Sequence, residues 1–279
     1  HFPPLSLRVP LRLGNSRAMS LISRANTPLP KLAISLAAFM LGDAMGGRTF
    51  AAQAAAGGIH QSPYRVIDVH AHGALPTPGA LQAQFEAMDA TGVDAVTLVL
   101  FDAAGWHYRG GWSESNLRAW LQLRAQFPER LNVFSTVDFG RAASEPAFFR
   151  DIVTELQAAA RMGVQGIKIW KNLGMYHRDS SGKLLKIDDP RLDPFWAKCG
   201  ELGLPVLIHT ADPREYWQPN SFNTFQYKMA NAAKYHAHPD VPTWEELIRQ
   251  RDHVLEKHPG TTFIGAHFGS LSNDFDGLS

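Results

Sequence analysis

The chain has 279 residues, 45% of them hydrophobic and 19% charged, which is enough material for one large domain with its own core. Its 27 Lys and Arg nearly balance its 26 Asp and Glu, for a formal charge of +1, so no basic stripe or acidic tail points to nucleic acid or a membrane surface. The single cysteine, Cys199 in "FWAKCGELG", excludes an internal disulfide framework and reads as a small buried side chain.

Residues 1–58 carry no periodic core pattern. Within them "KLAISLAAFMLG" holds an apolar run from Leu32 to Leu41, too short for a bilayer that needs about 20 apolar residues. Small residues follow in "TFAAQAAAGG". A basic flank, a short apolar centre and an Ala-x-Ala-like exit describe a secretory signal peptide. Translation from Met19 would put Arg24 and Lys31 in the basic region and leave residues 1–18 as an upstream over-reading. The expectation is therefore a signal or disordered segment over 1–60, a domain over 61–279, and a periplasmic or secreted protein with no membrane span. A cytoplasmic protein with a disordered tail, or with a helix packed on the domain, is the other reading.

From Tyr64 onward, strands and helices alternate. "YRVIDVHAH" reads as a strand, and "PGALQAQFEAMDATG" as a helix with Leu81, Phe85 and Met88 on one face and Gly92 at its end. "VDAVTLVLF" is a near-continuous apolar run, as expected of a strand covered on both faces. "SESNLRAWLQLRAQFP" is the second helix, "RLNVFSTVDF" the third strand and "EPAFFRDIVTELQAAARMG" the third helix, closed by Gly163. "VQGIKIW", "DPRLDPFWAKCGELG" and "LPVLIHT" give strand, helix and strand. After a long insertion come the helix "PTWEELIRQRDHVLEKHPG" and the strand "TTFIGAH".

Six strands separated by helices predict a parallel α/β fold. His70, His72, Asp102, Asp138, Lys168, His209 and His267 all fall at or just past the C-terminal ends of strands. A (β/α)8 TIM barrel gathers those ends around one mouth, whereas an open sheet would spread them along an edge. No Gly-x-Gly-x-x-Gly follows the first strand, so a dinucleotide-binding sheet loses its main support. The barrel is the predicted fold, with only about six βα units present. The two missing units, roughly 60 to 80 residues at ordinary barrel size, predict a chain that is incomplete at its C-terminus.

His70 and His72 stand two apart on the first strand, so their side chains share one side. A His-x-His pair alone is a weak signal. His209 offers a third imidazole from the fifth strand and His267 a fourth from the sixth, and convergent neutral imidazoles suit a divalent ion. Asp68 lies one pleat deeper, as a carboxylate orienting a ligand or as a polar barrel residue. Lys168 inside a mouth needs a partner, because an unpaired buried charge is costly.

The stretches "DVHAHG", "GIKIWKNLG", "DPRLDPFWAKCGELGLPVLIHTADP" and "HPGTTFIGAHFG" resemble the amidohydrolase superfamily, in its amidohydrolase 2 branch, over Tyr64 to the end. The resemblance implies a (β/α)8 barrel with one or two divalent ions at its mouth. It implies His70, His72 and His209 as metal ligands and His267 as the catalytic histidine that acts on water or substrate. It also calls for an aspartate after an eighth strand, which this chain lacks; Asp274 and Asp276 follow the sixth strand too closely to be it. In binuclear relatives a lysine comparable to Lys168 bridges two metals. In this branch one ion is the commoner pattern, and the lysine contacts substrate.

The implied chemistry is water activation on one divalent ion, zinc in the first place and manganese as an alternative, to cleave an amide, ester or lactone of a small molecule. Non-oxidative decarboxylation by the same kind of site is the second reading, and a catalytically incomplete fragment the third. Trp106, His107, Trp112, Trp170, Lys171, Tyr176, His177, Arg178, Tyr216 and Trp217 are candidates for the substrate pocket, each also explicable as structural. The insertion after the fifth strand is long enough to form a lid. Homo-oligomerisation stays open.

Overall fold

The computed structural model describes residues 62–72, 77–99, 114–212, 214–217 and 240–270. The expected signal segment, Asp102, Trp106, His107, Trp112, Asp274, Asp276 and most of the insertion lie outside the described residues. Six strands form one sheet: β1 Ile67–Ala71, β2 Ala95–Val99, β3 Leu131–Thr136, β4 Gly166–Ile169, β5 Val206–Ile208 and β6 Phe263–Gly265. They pair in sequence order, and every pairing is parallel. Between them run α1 Pro78–Thr91, α2 Glu114–Gln126, α3 Phe148–Met162, α4 Asp193–Glu201 and α5 Trp244–Lys257.

The helices start and stop for local reasons. Thr77 caps α1 through its hydroxyl and Thr243 caps α5 in the same way. Gly92 and Gly163 end α1 and α3 with φ of 72° and 95°, a left-handed conformation that costs glycine little. The fourth expected helix is two elements, a short 3-10 turn over Pro190–Leu192 and then α4, because Asp189 and the two prolines each impose a start. Asp138, just past the end of β3, also has a local role: its carboxylate accepts from the Gly140 amide and caps the 3-10 turn Phe139–Ala143.

The near-continuous apolar strands divide into two layers by alternation. Val96, Leu98, Leu131, Val133, Ile167, Ile169, Val206 and Ile208 pack outward with Leu81, Leu117, Phe148 and Trp196 of the helices. Val99, Phe134, Leu207 and Ala266 form a second cluster, with Trp170 and Ile264 against it. On β4 and β5 the residues of opposite parity to the outer layer are Lys168, Leu207 and then His209, so these side chains enter the concave face.

Concavity follows from distance. Strands lie about 4.8 Å apart, so β1 and β6 would be about 24 Å apart in a flat six-stranded sheet. The rings of His70 on β1 and His267 after β6 have centres 5.1 Å apart. The sheet is therefore curled into part of a (β/α)8 barrel, and the C-terminal strand ends meet at one mouth. Cys199 is fully buried in α4, and burial pushes its thiol up to about 12. No described helix is long and apolar enough to cross a membrane.

Candidate metal centre

Four histidines converge at the mouth. Ring centres are 5.0 Å apart for His70 and His72, 6.2 Å for His70 and His209, 5.1 Å for His70 and His267, and 4.7 Å for His209 and His267. An imidazole bound at about 2.1 Å holds its ring centre about 3.2 Å from an ion, and tetrahedral angles then separate two centres by about 5 Å. The observed separations fall in that range, with the His70–His209 pair at a wider angle.

The backbone around each histidine is specialised. Between β1 and β2 the register shifts after Asp68, where three residues of β1 answer to two of β2. Such a bulge re-aims the side chains at the strand's end, here those of His70 and His72. The amide of His70 donates to Asp68 Oδ1 at 2.9 Å, so Asp68 is bonded to the backbone of the histidine segment. Burial raises the Asp68 carboxyl, and that hydrogen bond partly opposes it. After β6 the chain makes a left-handed turn, with φ of 53° at His267, 55° at Phe268, 67° at Gly269 and 70° at Ser270. Left-handed backbone costs a non-glycine residue about 1–2 kcal/mol, so contacts must hold the turn. The Ser270 hydroxyl donates to the Thr210 carbonyl, and the buried Arg251 guanidinium donates to the Gly269 carbonyl.

Two lysines share the site. Lys168 is fully buried, its Nζ 2.9 Å from His70 Nε2 and 5.0 Å from the centre of the Trp170 ring. Trp170 in turn stacks on His72 at 5.4 Å. Lys171 donates to the Asp212 carbonyl at 3.2 Å. Burial pulls the Lys168 ammonium well down, with Lys171 adding to the effect, and burial holds Lys171 at about 8 against the pull of Asp212. The histidines respond the same way. Burial, then the charge of Lys168, lowers His72 to about 3 and His267 to about 4, and takes His70 and His209 well below the ordinary range. These rings are therefore neutral near pH 7, the form that ligates a metal.

Sequence reasoning missed Asp212. It is buried, with Oδ2 3.1 Å from His267 Nδ1 and 3.9 Å from His209 Nε2. Ligand atoms of His209, Asp212 and His267 all lie within 4.8 Å of one another, close enough to hold one ion. Its signal was present in "HTADP", three residues past a strand-end histidine, but a loop residue has no periodicity to mark it. The donor set fits a divalent cation: neutral imidazoles, a carboxylate, and a His209 Nε2 that is buried with no hydrogen bond among the described residues. His70 Nε2 faces the Lys168 amine at 2.9 Å, and an ion bound at that nitrogen would displace this contact.

Of the loop candidates, Trp170 and Lys171 reach the site. His177 is half-buried beside Phe139, with ring centres 6.5 Å apart, and Tyr176 packs on the outer core. Arg178 pairs with Asp240 at 3.4 Å, and Trp217 donates to the Pro242 carbonyl at 2.9 Å.

A partly closed parallel barrel with a histidine cluster and a buried lysine at its C-terminal mouth belongs to the class of metal-dependent barrel enzymes. The family profile described as Amidohydrolase, of the amidohydrolase 2 type, matches residues 67–278. The chain belongs to the amidohydrolase family. No curated protein matches the chain in sequence. Similar solved structures include 2,6-dihydroxybenzoate decarboxylase from Rhizobium, at 17% identity and a TM-score of 0.44, covering 74% of this chain and 68% of that one. A manganese-bound 5-carboxyvanillate decarboxylase from Novosphingobium aromaticivorans is similar at 19% identity and a TM-score of 0.42, covering 73% of this chain and 57% of that one. A 4-oxalomesaconate hydratase from Rhodopseudomonas palustris is similar at 15% identity and a TM-score of 0.43, covering 71% of this chain and 51% of that one.

Proposed function

We propose that the protein is a metal-dependent hydrolase of the amidohydrolase 2 type, cleaving an amide, ester or lactone bond of a small molecule. The observation that carries this reading is the convergence of His70, His72, His209 and His267 on one point from β1, β5 and β6. In this reading His70, His72 and His209 hold one divalent ion, zinc or alternatively manganese. The ion would supply a Lewis acid for a carbonyl and bring a bound water's pKa toward neutrality. His267, beside that point, moves a proton between water, substrate and leaving group. Trp170 and the apolar interior below it exclude bulk water, which strengthens every charge interaction in the mouth. The export pattern of the N-terminal segment supports a periplasmic or secreted enzyme.

One observation favours a second reading, a metal-dependent non-oxidative carboxy-lyase. Lys168, fully buried, and Lys171 place two amines at the mouth, donors suited to a substrate carboxylate. The zinc- or manganese-loaded protein, incubated with panels of lactones, esters, amides and aromatic carboxylic acids, separates the two. Release of an acid without CO₂ supports hydrolysis, and release of CO₂ supports decarboxylation. Turnover that survives both His70→Ala and His209→Ala would exclude the proposed site.

A further inference from the structure

Neither hydrolysis nor decarboxylation as proposed engages Asp212, yet it is buried against two of the four histidines. We propose that Asp212 is the positioning carboxylate of His267: it accepts the Nδ1 proton and so leaves the ring's lone pair on Nε2, toward the reaction space. The inference rests on the assignment of His267 as the proton-moving group.

Geometry separates this role from that of a metal ligand. One oxygen, Oδ2, lies 3.1 Å from His267 Nδ1 and 3.9 Å from His209 Nε2. The first distance is within hydrogen-bonding reach and the second is not. An ion shared by Asp212 and His267 through these atoms would need Nδ1 bare, whereas a carboxylate this close to a neutral imidazole stabilises the tautomer protonated at that nitrogen. The pair is also fixed from both sides. Lys171 holds the Asp212 carbonyl at 3.2 Å. Ser270, three residues past His267, is bonded to the carbonyl of Thr210, two residues before Asp212. Arg251 holds the Gly269 carbonyl and is itself paired with Asp252 at 2.7 Å. The strained turn after β6 is thus tied to the loop after β5 at the point where Asp212 meets His267, which is the kind of support that fixes an imidazole's tautomer and orientation.

The test is the tautomer of His267 in the zinc-loaded 279-residue chain, read by ¹⁵N NMR and assigned by the signal lost in His267→Gln. The expected result is a proton on Nδ1, replaced in Asp212→Asn by the other tautomer or a mixture, with zinc affinity within about threefold of wild type, below the loss typical even of an outer-sphere partner. A wild-type His267 without a proton on Nδ1 overturns the proposal. So does a folded Asp212→Asn protein that loses zinc affinity by about tenfold or more, which ties Asp212 to the ion, as a ligand or as the partner of one, rather than to His267. If Asp212→Asn does not fold, the wild-type tautomer still decides, and Asp212→Glu, which keeps the carboxylate, should retain it. A wild-type chain that binds no zinc but shows the Nδ1 proton would remove the metal reading and leave this one intact.

Discussion

Lys168 Nζ lies 2.9 Å from His70 Nε2, so the lysine occupies the position that a divalent ion bound to that nitrogen would take. Like charges about 4 Å apart repel by about 4 kcal/mol at an effective dielectric near 20. Burial weakens this by favouring the neutral amine. Lys168→Met keeps the chain length and removes the competitor, so zinc affinity should rise by about tenfold or more, each factor of ten being about 1.4 kcal/mol. Titration calorimetry at pH 7.5 measures it. A fall in affinity, or a stoichiometry dropping from two ions to one, would instead make Lys168 a bridging ligand.

His70→Ala and His209→Ala should each lower metal affinity by more than about 100-fold, beyond what loss of an outer-sphere partner costs. His253→Ala provides the control. That ring is exposed on α5 and pairs with Asp188 at 3.1 Å, remote from the mouth, so metal content there should equal wild type. Equal metal content in all three variants would place the ion elsewhere.

The strand-end histidines were legible in the sequence because alternation puts His209 on the same side as Leu207 and Lys168 on the side opposite Ile167 and Ile169. The order and direction of the strands followed from the same pattern and from the helices between them. Asp212 was not legible as a site residue, because nothing local says which way a loop carboxylate turns. The bulge after Asp68 and the left-handed turn at His267 were hidden for a related reason: both are backbone choices made by tertiary contacts, the first by pairing with β2 and the second by Ser270 and Arg251. The contact between Lys168 and His70 spans 98 positions and depends on how tightly the sheet curls.

Acid should destabilise the fold well above the carboxylate range. Burial lowers His177 and His267 to about 4. As pH falls below about 6.5 the unfolded chain takes up protons on these rings while the folded chain does not, so stability rises with pH from about 4 to 6.5. At pH 5 one such histidine is worth on the order of 2 kcal/mol, or about 4–8 °C in melting temperature for a domain of this size. With EDTA present to remove metal linkage, melting at pH 5 should fall at least that far below melting at pH 7. A flat profile would mean that these rings protonate freely in the fold.

Gly265, the last residue of β6, sets where His267 can go. A Cβ there would sit 2.8 Å from Gly269 Cα and 3.0 Å from its nitrogen, and both are backbone atoms that cannot swing aside. The close approach exists because the left-handed turn folds the chain back onto the strand end. Gly265→Ala must therefore push the turn outward, and His267 moves with it. Overpacking of this kind costs about 1–3 kcal/mol, and the displacement should also break the 3.1 Å contact between His267 and Asp212. A neighbouring glycine gives the comparison: Gly260 has no atom within 4 Å of the added methyl, so Gly260→Ala should leave stability and site unchanged. Thermal melting reads the first effect and the His267 tautomer the second. A Gly265→Ala protein as stable as wild type, with its His267 signal unmoved, would show that the turn does not hold the histidine in place.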